Sequence, residues 1–306
     1  MNGAFGCVNP TSQAVPSTAQ QVLQYSNNNP QFLADFAAAF VKMSAVGFGG
    51  VVSALDGATS SGKLGTLTTI DLTTCPYQPP GNPSVRPTAR PTTSPPTTKP
   101  TLAAPTARPT LPGQLRANFC AKTNFEAAPS SKQGICSAYK DILSQFTVPT
   151  DELGRSNLYG QAVRLAFHDA GEVDIQTTVD LLGADGCMAH NGDSAGLTEA
   201  TSLVNNVMEP IWQSVCDHIS RADFWVLFGK LVVERAASIP VTVPFQYGRF
   251  DNVECEGGAG RLPGGHGDLN EMQRVFVDQM GLTMDEAGIN NSFSLRALCF
   301  FAMFSC

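Results

Sequence analysis

Arg164 and His168 stand four residues apart in Val163-Arg-Leu-Ala-Phe-His-Asp-Ala170. On a helix this spacing puts both side chains on one face, one turn apart. A fixed guanidinium beside an imidazole can move a proton and stabilise the charge that the transfer creates. Spacing alone says little, because most such pairs are incidental. The surroundings add weight. Asp169 follows the histidine directly, and Gly183-Ala-Asp-Gly-Cys187 brings a second carboxylate, Asp185, in a glycine-rich turn. Two carboxylates placed this way can converge on a hard cation through oxygen ligands.

Helical periodicity supplies the elements that must hold these residues. Ile135 to Phe146 is amphipathic, and Asn157 to Ala170 carries Leu158, Val163, Leu165 and Phe167. Thr198 to His218 repeats Leu203, Val207, Ile211 and Val215 at helical spacing. Ala222 to Ala237 is apolar nearly all round, which predicts a central buried helix. Upstream, Phe32, Phe36, Phe40 and Met43 make one amphipathic helix that stops near Gly47. Strand signals are few, so the fold class expected is all-α.

Twelve of the 21 prolines fall between Pro76 and Pro112, with Thr and Ser as their main companions. Such a stretch cannot bury a core, and it predicts an extended linker over 76–117 with the composition of an O-glycosylated stalk. An ordinary spacer without sugar fits the composition equally. The upstream helix has too little apolar surface to fold alone, so it is either a remnant or it docks elsewhere. The chain of 306 residues carries 19 Lys plus Arg against 26 Asp plus Glu, a net charge of −7. That balance argues against a general nucleic-acid binder. The most apolar stretch, Leu33 to Val52, is interrupted by Asp35 and Lys42, so no membrane span is expected. Nine widely spaced cysteines fit no zinc pattern and read as disulfide-capable, which points to an oxidising compartment.

Taken together, Arg-Leu-Ala-Phe-His-Asp at 164–169 and Gly-Ala-Asp-Gly at 183–186 resemble the distal-side signature of the plant, fungal and bacterial haem peroxidases. Ser220-Arg-Ala-Asp-Phe224, the buried helix after it, Pro244-Phe-Gln-Tyr-Gly-Arg-Phe-Asp251 and Gly260-Arg-Leu-Pro263 match that family in order. The resemblance implies the distal half of a helical peroxidase over 118–286. It implies haem b and calcium as cofactors, with hydrogen peroxide and a small electron donor as partners. His168 would be the distal general base, Arg164 would stabilise the parting O–O bond, and Phe167 would pack over the haem. Asp169, Gly183 and Asp185 would bind a calcium ion, at a site weakened by Cys187 where the family usually has a hydroxyl. Asn191 would fix the tautomer of the distal histidine. Phe at 167, where intracellular members usually carry Trp, implies a secreted, extracellular type. The helix at 26–47 is similar to the last helix of the same family, which implies that residues 1–75 are the tail of an upstream unit.

The pattern departs after Met280-Gly-Leu-Thr-Met-Asp-Glu286. Residues 287–306 hold no histidine, although the proximal iron ligand is expected near Ser294. The other histidines are His190, His218 and His266, and none stands in the expected helix. The polypeptide is therefore expected to hold haem weakly or not at all, and the apolar tail 287–306 is expected to promote aggregation. Two rival readings are a non-catalytic, glycosylated wall or matrix protein and a serine hydrolase at Gly192-Asp-Ser-Ala-Gly196. The hydrolase motif needs a strand before Ser194, and polar Asp185–Asn191 stands there instead.

Overall fold

A computed structural model describes residues 24–25, 27–48, 64–75, 119–120, 125–126, 130–145, 152–177, 182–187, 204–252, 260–263, 269–283 and 286. Helix α1 runs Asn29–Ala45. Its entry is set by the Asn28 side chain, which accepts from the Gln31 amide, and by a proline in the first turn. Helix α2 is Lys132–Gln145, α3 is Glu152–Gly171, α4 is Glu209–Val215 and α5 is Arg221–Ala236. Wide π-type turns occupy Val204–Met208 and Gln273–Gln279, the latter continuing from the short helix α6, Leu269–Met272. The molecule is mainly helical, as the periodicity predicts. The strands are short clasps: β1 (Thr68–Ile70) runs antiparallel to β4 (Phe245–Tyr247), and β2 (Phe119–Cys120) to β3 (Phe125–Glu126).

Helix α5 is the axis of the core. Every residue from Arg221 to Val233 is buried, which is why its sequence is apolar nearly all round. Its N-cap is Ser220, whose hydroxyl accepts from the Asp223 amide. Helix α3 packs along it, and α1 covers both: Phe32, Phe36, Phe40 and Met43 lie in the same apolar cluster as Leu165, Ala166, Phe224 and Phe228. The linker stretch thus does not divide the core. Segments on either side of it are also joined by the β1–β4 pair and by the disulfide Cys75–Cys136, while Cys120–Cys216 closes a second loop. Of the helix expected over 198–218, the described residues form a π-helical turn at Val204–Met208 that runs into α4, with Pro210 at the junction. The tail 287–306 and the whole linker 76–117 lie outside the described residues.

Gly134 on α2 marks the closest approach of two elements. A Cβ built there would collide with the carbonyl oxygen of His218, at the turn that follows α4. That backbone is held, because the same carbonyl accepts from the Ser131 amide. Gly134→Ala is therefore expected to destabilise the fold by about 1–3 kcal/mol through overpacking, read by urea denaturation. An unchanged midpoint would show that α2 can retreat.

Candidate functional site

Helix α3 places the site. Leu165 and Ala166 turn into the core while Arg164 and His168 share a half-buried flank. The Arg164 Nε–H donates to His168 Nε2 across 3.5 Å, a long contact that fixes the two groups as neighbours. With Nε2 accepting, the proton of the neutral imidazole belongs on Nδ1. Nδ1 is buried and has no hydrogen-bond partner among the described residues. Burial, helped by the adjacent Arg164 charge, pushes the His168 pKa down to about 3. The imidazole is thus neutral at ordinary pH, with no proton on Nε2.

Phe167 meets the His168 ring edge-on at 5.6 Å and stacks on Phe276 of the π-type turn, also at 5.6 Å. Its near neighbour in this structure is thus another aromatic side chain. Asn191, His190, His266 and the Gly192–Gly196 motif fall outside the described residues. His218 is exposed, and its imidazole lies 3.4 Å from the Asp217 carboxylate, far from a rigid ligand setting.

Asp169 is fully buried at the end of α3. Its carboxylate accepts from the backbone amides of Gly186 and Cys187 at 3.0 and 3.2 Å. Asp185 accepts from the Cys187 amide and from the Asn252 side chain at 3.1 Å. Burial raises the Asp169 pKa, with Asp185 and Glu172 adding repulsion, while the amide donors work against the shift. Asp169 and Asp185 are therefore near neighbours, with Gly183 in the same turn, and no calcium site stands out around them among the described residues. Backbone N–H groups of 186 and 187 donate to the carboxylates, Cys187 is disulfide-bonded, and among the described residues no group of three or more His, Cys, Asp or Glu could hold a metal ion. Gly186 makes the turn possible: it has φ +76°, and a Cβ would meet the Ala222 nitrogen at 3.0 Å.

Two supporting groups have roles that only the three-dimensional arrangement reveals. Asp251 accepts from the Arg221 and Ala222 amides at 2.9 and 2.8 Å, so it sits on the positive end of α5 and ties it to the turn at 182–187. Asp223 and Arg249 form a buried pair at 2.8 Å. The motifs at 220–224 and 244–251 contained both residues, but nothing in their spacing reports that they pair.

The peroxidase family model matches residues 141–288. Over 126 residues the chain is 32% identical to cytosolic L-ascorbate peroxidase 2 of Oryza sativa subsp. japonica, a match covering 40% of this chain and 46% of that protein. It is 34% identical over 126 residues to the probable peroxisomal L-ascorbate peroxidase 4 of the same subspecies, covering 40% of each. Cytosolic L-ascorbate peroxidase 1 of Oryza sativa subsp. indica is 32% identical over 122 residues, 40% of this chain and 46% of the relative. The chain spans less than half the length of these relatives. Their names overturn the expectation of a secreted, extracellular type. A phenylalanine at one position and a cysteine count report local packing and bridging capacity; neither encodes an address.

Proposed function

We propose, from the membership of residues 141–288 in the peroxidase family, that this chain supplies the peroxide-handling side of a haem-dependent peroxidase. The reaction is reduction of hydrogen peroxide with one-electron oxidation of a small donor. The naming of the rice relatives makes ascorbate the first donor to try. The observation that carries the reading is the Arg164–His168 contact at 3.5 Å on one flank of α3. The fit to haem is one-sided. The buried His168 with its Nε2 beside a cation suits the distal face, whereas the described residues offer no rigid histidine for the opposite face. When bound, haem supplies the redox centre at which the O–O bond is broken.

His168 Nε2 takes the proton from the attacking oxygen of peroxide and returns it to the departing oxygen. Neutrality at working pH is the property this role demands, and burial provides it. Arg164 remains charged and stabilises the negative charge that develops between those two events. Phe167, held by its stacking on Phe276, packs edge-on against the imidazole and would limit its rotation. Asn191 would accept from the unpartnered Nδ1 and hold the tautomer.

Haem would be held weakly by this polypeptide, because residues 287–306, where the family's iron ligand is expected, contain no histidine. Free imidazole can stand in for that ligand. The test is peroxide-dependent ascorbate oxidation by the full chain with haem and imidazole, against haem and imidazole without protein. A protein-dependent rate is expected; equal rates in the two reactions would overturn the proposal.

A further inference from the structure

We propose that the π-type turn Gln273–Gln279 orients the His168 imidazole, with Phe276 as a positioning residue that acts through Phe167. Its bearing on activity rests on His168 as the proton acceptor proposed above, whereas the orientation itself belongs to the chain without haem.

The turn is wider than an α-helix, and its bonds show where. The Met280 amide donates to the Val275 carbonyl, five residues back, at 3.0 Å. The Leu282 amide donates to the Phe276 carbonyl, six residues back, at 2.9 Å. An α-helix would make each bond four residues back. The extra length per turn sets the direction in which buried Val275 and Phe276 point. Such turns are rare and occur frequently at functional sites.

The register of the turn along α3 is fixed by contacts outside the aromatic rings. The Ile175 amide donates to the Gln279 carbonyl at 2.9 Å, and the Gln176 side-chain amide donates to the Asp278 carbonyl at 2.9 Å. Gly281, with φ +69°, leaves the room that Ile175 takes: a Cβ there would stand 2.8 Å from Ile175 Cδ1. These ties join the turn to the residues that leave α3. Phe276 therefore cannot slide along α3 without breaking them.

That register completes a chain of rings ending at the imidazole. Phe276 is 1% exposed and stacks on Phe167, with centroids 5.6 Å apart and planes 27° apart. Phe167 in turn meets His168 at 5.6 Å and 84°. Gly171 leaves Phe167 its place over the last turn of α3, since a Cβ there would lie 3.9 Å from Phe167 Cζ. Polar contacts hold the imidazole weakly. Among the described residues its hydrogen bond is the long one from Arg164, at 3.5 Å, and its buried Nδ1 has none. The edge-on contact is then what selects the ring's orientation, and losing an aromatic pair of this kind shifts a population by up to about tenfold.

Carbethoxylation of His168 by diethyl pyrocarbonate tests this on the full chain at neutral pH without haem, read by mass spectrometry of the peptide that carries it. Phe276→Ala is expected to raise the rate at His168 by about tenfold. Phe276→Leu, which fills most of the space without a ring, is expected to raise it by at least about threefold. Ile142→Ala opens a cavity elsewhere in the core, on α2, and is expected to lose stability while leaving the His168 rate within about twofold of wild type. That control separates orientation from a general loosening of the fold. Equal His168 rates in the Phe276 variants and in Ile142→Ala would overturn the proposal. In the haem- and imidazole-supplemented chain, the peroxide step of Phe276→Leu is expected to slow by about tenfold. A raised His168 rate with an unchanged peroxide step would uphold the positioning and overturn His168 as the proton acceptor instead.

Discussion

Arg249→Ala is expected to destabilise the protein by about 3–5 kcal/mol, because it leaves a buried carboxylate without its partner. Asp223 is 0% exposed and Arg249 is 1% exposed. The pair is fully hydrogen-bonded: Asp223 also accepts from the Gly248 and Arg249 amides, and Arg249 also donates to the carbonyls of Gln246 and Ser44. Removing the guanidinium strands the Asp223 charge and two carbonyls in the core, which is the costly case. It also releases the end of α1 from α5. For a body of this size the melting temperature should fall by about 10 °C. Replacing both partners by apolar residues should recover part of the loss, since the isolated charge is then gone. Thermal denaturation by circular dichroism measures this. A loss under about 1 kcal/mol for Arg249→Ala would mean that water reaches Asp223, and that the end of α1 is not anchored through this pair.

Much of this arrangement is legible in the sequence. The i, i+4 spacing of Arg164 and His168 is a local property of a helix, so it survives into three dimensions unchanged. The all-round apolar character of 222–237 reports burial directly. What periodicity cannot report is which face meets which. The Phe32, Phe36, Phe40 stripe announces a buried face, yet its partner, Gly229, lies beyond a proline-rich stretch and gives no signal of its own. Pairing of Cys75 with Cys136 is equally silent, since spacing does not select among connectivities. No calcium site stands out among the described residues, for a related reason. Two carboxylates near a glycine-rich turn look alike in sequence whether oxygen ligands or amide donors face them, and here the amides of 186 and 187 take that place.

His168→Leu carries the largest expected effect on chemistry. If His168 Nε2 shuttles the proton, the peroxide step should slow by about 10²- to 10⁴-fold in the haem- and imidazole-supplemented protein. The same substitution has a second signature that needs no haem. The folded-state pKa of His168 is lowered to about 3 from an unfolded value of 6.5. Between those values the unfolded chain binds a proton that the folded chain refuses, so wild-type stability falls as pH drops from 6.5 towards 3. Leucine has no proton to bind, so the variant lacks this loss. The variant should gain on wild type by up to about 3 kcal/mol between pH 7 and pH 4. Burial raises the pKa of Asp251 to about 7 and of Asp185 to about 6, and both act with the opposite sign. Those contributions are common to the two proteins and cancel in the difference. Urea midpoints at pH 7, 5.5 and 4 give that difference. Parallel pH profiles would show an imidazole that protonates freely in the folded state, and the neutral base on which the proposed proton transfer rests would be lost.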